Sequence, residues 1–174
     1  FFGLPDQILY AVNLIKDDNS TSVNSKLPLI QEYNADKAAL LLQKYESNSD
    51  LLDFIRLLAQ FEVITKDFVF SIVSEITHYQ ILDELVTENI CELLGSDGEI
   101  IRLNDVIRDY IKRNRLDIRQ EYEIQIHNLV SKLVKEEDVI ERDSSEFIFA
   151  IKEALKGDEL IDTRLLIPSH YLRC

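Results

Sequence analysis

Residues 91–103 read CELLGSDGEIIRL, and they interrupt a chain whose other segments keep a helical period. Two short apolar runs flank Gly95-Ser96-Asp97-Gly98, the pattern of a β-hairpin with a glycine-containing turn. The next stretch, DVIRDYIKRNRL (105–116), returns to helical spacing, with Asn104 or Asp105 placed to cap it. Before the hairpin, Leu51, Leu52, Ile55 and Leu58 form one helical stripe. Thr65 or Asp67 starts a second helix, carried by Phe68, Ile72 and Ile76. His78 to Ile90 gives a third, with Ile81, Leu82, Leu85 and Ile90 apolar. Three short helices, a hairpin and a helix make a winged-helix pattern over residues 49–115.

On the N-terminal side, Ile8, Leu9, Val12 and Ile15 fall at helical spacing after Gly3 and Pro5. Pro5 suits the first turn, where its missing N–H costs nothing. Residues 17–26 read as a polar loop. A short helix is expected over Leu27–Tyr33, and Asn34 can cap another over 35–46. On the C-terminal side, residues 118–137 predict one helix. SSEFIFAIKEALKGD predicts another, with Ser144 or Ser145 as cap and Gly157 as stop. The expected class is mainly α. A helical lid segment (1–48) precedes the winged-helix domain (49–115), and α-helical hairpins follow (116–174) that can open a helical repeat array.

Composition narrows the function. The 174 residues include 32 acids and 19 bases, a net charge of −13. Phosphate binding needs clustered Lys and Arg, so this balance weighs against nucleic acid and against anionic membranes. No apolar run reaches the length of a membrane span. Cys91 and Cys174 make no disulfide framework, which fits a reducing cytoplasm. There is no Met, and the chain starts in mid-pattern with Phe1-Phe2, which reads as an internal fragment of a longer protein.

A winged helix usually suggests DNA binding, and charge tests that suggestion. Residues 50–115 carry 7 basic and 13 acidic side chains. The third helix, the one that would enter a major groove, holds Asp83, Glu84 and Glu88 and no cation. The wing is acidic too. Arg108, Lys112, Arg113 and Arg115 cluster at the end of the fourth helix, where cations complement the helix dipole. Direct DNA reading is therefore the weakest of the functional readings.

Gly3-Leu4-Pro5 before an apolar helix, and a winged helix ending in RLNDVIRDYI, resemble the region after the ATPase core of STAND nucleotide switches. These are the signal-transducing P-loop ATPases related to NOD-like receptors, plant disease-resistance proteins and apoptotic protease-activating factors. The resemblance implies that Gly3 and Pro5 form the GxP motif, whose proline packs on adenine. It also implies that Leu103, Asn104 and Asp105 stand where a Met-His-Asp triplet reads the β-phosphate of ADP. Asn104 departs from the expected His. Its amide can donate to a phosphate oxygen but carries no charge. Read without the resemblance, Gly3-Leu4-Pro5 is a helix-start turn, Leu103 a core strand residue and Asn104-Asp105 an N-cap pair.

The resemblance further implies ADP/ATP as cofactor, bound only with an upstream ATPase core, and regulated self-association as function. The chain holds no GxxxxGK[ST] and no apolar run ending in paired acids, so alone it is not expected to hydrolyse ATP. The alternative is an acidic helical and winged-helix module for protein–protein contact without nucleotide. Other chemistry is sparse. His78, His127 and His170 are far apart. Glu123–His127 and His170–Cys174 are two-ligand pairs, short of a zinc site. The acids Glu136, Glu137, Asp138, Glu141 and Asp143 lack calcium-loop spacing.

Overall fold

The computed structural model describes residues 5–16, 23–135, 144–157, 161 and 166. The chain is mainly helical with one small antiparallel sheet. In order it forms α1 (Pro5–Ile15), α2 (Val23–Gln43), α3 (Ser49–Leu58), β1 (Ile64–Thr65), α4 (Lys66–Ile72) and α5 (Glu75–Thr87). Then come β2 (Cys91–Leu94), β3 (Ile100–Leu103), α6 (Asp105–Arg113), α7 (Gln120–Lys135) and α8 (Ser145–Lys156). The expected winged helix is the stretch from α3 to α6. Its strands lie in the order β1-β3-β2, with Leu94 opposite Ile100 and Cys91 opposite Leu103 across the hairpin.

Several helix starts have a local cause. The Asn48 side chain accepts from Leu51 N–H and caps α3. Thr65, one of the two residues expected to start the second helix, accepts from Phe68 N–H and caps α4. Ser144 does the same for α8 through Phe147 N–H. α3 buries Leu51, Phe54, Ile55, Leu57 and Leu58 in a core completed by Leu85, Ile101 and Leu103.

Four sequence expectations are corrected. The break expected between Ile76 and His78 falls at Val73-Ser74, so Ile76 belongs to α5 and not to the second helix. The helices expected at 27–33 and 35–46 are one helix, α2, which passes through both Pro28 and Asn34. Asn34 caps nothing, because Ile30, Ala38 and Leu42 share its four-residue spacing and are buried as one stripe. Burying that stripe against α1 and α6 outweighs a cap worth about 1 kcal/mol. The polar loop of 17–26 shortens accordingly, since α2 begins at Val23. The two-residue strand β1 was not anticipated. It pairs with β3, Ile64 opposite Ile101. α8 packs on it, and Glu146 Oε1 accepts the Thr65 N–H at 2.9 Å. Gly3, residues 17–22, the acidic stretch 136–143 and the segment holding His170 and Cys174 lie outside the described residues.

Among the described residues, two helices end on left-handed residues that are not glycine. After α5, Asn89 has φ 58° and Ile90 N–H reaches back to Leu85 O at 2.9 Å. After α6, Arg115 has φ 48°, and Leu116 N–H reaches Ile111 O at 3.2 Å. Arginine in this conformation costs energy that glycine avoids. Arg115→Gly is therefore expected to stabilise the fold by about 0.5–1 kcal/mol, the gain being reduced by glycine's freer unfolded chain. A urea midpoint that falls instead would refute this.

Cys91 opens β2 and is buried, and burial pushes its thiol up to about 12 from an ordinary 9.0. Its neutral form suits the fold. The unfolded chain loses the proton near pH 9 while the folded chain holds it, so the thiol lowers stability as pH rises from about 9 toward 12. With Cys174→Ser removing the second thiol, iodoacetamide at pH 8 is expected to leave folded Cys91 unmodified and to label it fully in denaturant. Equal labelling rates in the two states would contradict the burial.

Candidate functional site

Of the residues singled out by sequence, Leu103, Asn104 and Asp105 lie at the corner where β3 turns into α6. Leu103 is a buried strand residue. Asn104 N–H donates to Ile90 O at 2.9 Å, which adds one bond to the end of the β2–β3 ladder. Its Oδ1 accepts Val106 N–H at 3.0 Å, so Asn104, of the two candidates, is the N-cap of α6. The amide Nδ2 of Asn104 is left as a donor with no partner among the described residues.

Asp105 occupies the first position of α6, where a carboxylate favours the helix dipole. It sits between two guanidiniums. Arg102 Nη2 donates to its Oδ2 at 2.8 Å, and Arg108 Nη2 lies 2.7 Å from Oδ1. That second contact is ionic in character, because Oδ1 is buried and lacks a hydrogen bond of good geometry. Arg102 also reaches Glu92 on β2 at 3.3 Å. The corner is thus a chain of alternating charge, Glu92–Arg102–Asp105–Arg108, that orients the first turn of α6. The i,i+3 spacing of Arg102, Asp105 and Arg108 was visible in the sequence and is the signal that sequence reasoning missed.

Pro5, the other half of the expected site, opens α1. α1 packs on α2, and α2 packs on α6, so α2 stands between the proline-bearing helix and the corner. A crevice of about 150 Å³ between α2 and α6 is lined by Asn34, Val106, Asp109 and Tyr110, among others. Asn34 Oδ1 is buried without a partner there. Gly3 lies outside the described residues, so the structure brings together Asn104 and Asp105 only.

A larger cleft of about 620 Å³ lies where α6 ends and meets α7 and α8. Ile111, Ile126, Val130 and Phe149 form apolar walls, and Lys112 and Arg115 supply charge. Burial, then repulsion from Arg108 and Lys156, lowers the Lys112 pKa. Glu123 and His127 line this cleft as a pair. Among the described residues no group of three or more His, Cys, Asp or Glu is placed to hold a metal. His78 is buried, with Nδ1 2.9 Å from Ser74 O and Nε2 3.4 Å from the Tyr122 hydroxyl. A ring nitrogen facing a carbonyl must donate, so Nδ1 carries a proton.

A second cluster, unforeseen from the sequence, joins α3 to the residues before α7. Arg119 donates from Nη2 to Asp50 at 2.6 Å and from Nε to Asp53, which Arg56 also contacts at 3.0 Å. The bonds to Asp50 and Asp53 raise the Arg119 pKa above its usual value, against the opposing effect of desolvation. Among the described residues no helix is long and apolar enough to cross a membrane. No family model, curated protein or solved structure matches the chain.

Proposed function

We propose that the chain is the regulatory part of a STAND-type signalling switch, cytoplasmic in location, that closes over ADP or ATP and controls self-association. The observation that supports this reading best is the β3–α6 corner. The last helix of the winged-helix stretch opens on Asn104-Asp105, and the stretch is preceded in the chain by a proline-opened helix and a long helix that packs on α6. In this reading Asn104 Nδ2, the donor left over from capping, meets a β-phosphate oxygen. Asp105, clamped by Arg102 and Arg108, holds that turn in place. Gly3 and Pro5 meet the adenine side. Nucleotide binding requires an ATPase core joined to the chain, because the corner is close to electrically neutral and the chain carries −13.

Magnitudes limit what the corner does by itself. Moving a two-state balance from 1:99 to 99:1 takes about 5.5 kcal/mol of differential binding. One hydrogen bond to a charged phosphate contributes about 1.5–3 kcal/mol. Asn104 therefore biases the closed state, and most of the difference comes from contacts at the adenine and in the core.

Two measurements test the reading. The coding sequence upstream of Phe1 is expected to contain a strand–GxxxxGK[ST]–helix unit. A stop codon or an unrelated domain there would leave only a protein-contact module. In the intact parent, Asn104→Ser keeps a capping oxygen and removes the amide donor. It is expected to shed ADP during purification and to enlarge the oligomer, with the melting temperature unchanged. Undiminished ADP and an unchanged oligomer by light scattering would reject the proposed role.

A further inference from the structure

We propose that the solvent face of α5 is a docking surface for a cationic segment of a partner protein. The first half of that face is apolar and unusually open. Ile76 is 88% exposed and Tyr79 53% exposed. Tyr79 does not hang free. Its ring stacks on Phe70 of α4 at 6.2 Å, and Phe70 packs against the core. A fixed tyrosine beside an exposed isoleucine is the kind of rigid anchor on which binding energy concentrates.

The second half of the face is acidic. Asp83 follows Tyr79 by one helical turn, and Glu84 and Glu88 continue the exposed side. Glu88 is paired with Lys44 at 2.7 Å. Asp83 and Glu84 have no cation partner among the described residues. α5 itself contains no Lys or Arg. Charge chooses the occupant. Carboxylates repel nucleic-acid phosphates and anionic bilayers and attract Lys and Arg. From Ile76 to Asp83 the helix advances about 10 Å. The fitting partner therefore presents an apolar side chain to Ile76 and Tyr79 and a cation about 10 Å along, over Asp83 and Glu84. The surface stands independently of the nucleotide reading, since no hydrogen bond or ion pair among the described residues joins it to the β3–α6 corner.

The test is fluorescence anisotropy on the whole chain with a fluorescein-labelled 14-residue helical peptide of leucine and lysine, against the leucine–glutamate version. Binding to the lysine peptide is expected, and Tyr79→Ala or Ile76→Ser is expected to weaken it about 10-fold or more. Asp83→Asn with Glu84→Gln is expected to weaken it about 3–10-fold and to flatten its salt dependence. Glu121→Gln with Glu123→Gln removes the same charge from the exposed face of α7 and is expected to change binding less than about 2-fold. All of these side chains are exposed, so the fold is retained, which circular dichroism checks. Two results would overturn the proposal. They are equal losses from the α5 and α7 charge pairs, or insensitivity to Tyr79→Ala and Ile76→Ser.

Discussion

Phe54→Ala is expected to lower the unfolding free energy by about 3–5 kcal/mol, read from the urea midpoint at constant slope. Phe54 is fully buried in the middle of α3, its ring 5.1 Å from the His78 imidazole of α5. Truncation removes the ring's transfer energy and leaves a cavity that neighbours on rigid elements cannot fill. A domain of this size holds only about 5–15 kcal/mol of net stability, so the variant should be partly unfolded well below the parent's melting temperature. A loss under about 1 kcal/mol would mean that α3 does not pack as described. Phe54→Leu retains most of the apolar volume and should recover more than half of the loss.

Asp53→Ala should cost about 2–3 kcal/mol, although it removes only a small polar group. Asp53 is 8% exposed and serves Arg56 and Arg119 at once. Its removal leaves Arg56 without its carboxylate and Arg119 with Asp50 alone, and Arg56 Nε is already buried without a partner. The two arginines are about a third exposed at their side chains, which places the loss below that of a fully buried pair. Part of the effect is directional. Arg119 stands at the threshold of α7, so losing Asp53 should loosen α7 before it melts the sheet. Hydrogen exchange should rise first in α7. A double-mutant cycle with Arg119→Met should return a coupling of about 1–3 kcal/mol. A coupling near zero would show that the contact is only geometric.

The sequence announced some elements and hid others for physical reasons. The β2–β3 hairpin and α6 were readable because glycine marks the turn and a capping residue stands directly before an amphipathic run. α4 and α8 carried starts that the structure uses, Thr65 and Ser144, whereas Asn48, the cap of α3, was not singled out. β1 was illegible because two residues have no period, and its stability comes from β3, far along the chain. The division of α2 at Asn34 was a false reading in which a local capping preference lost to a buried stripe. The site divides the same way. Asn104 and Asp105 were legible as an N-cap pair. The Arg119 clamp was not, because Asp53 lies 66 residues from it and nothing local marks the pairing.

The bond from Thr65 N–H to Glu146 has a consequence for self-assembly by the wrong route. β1 is the outer strand of the sheet, and its backbone would otherwise offer a donor to any extended peptide that drifts alongside. Glu146 takes that donor, and α8 lies over the strand. β1 is also only two residues long, too short to template a new strand. The sheet is thereby closed to strand addition at its β1 edge.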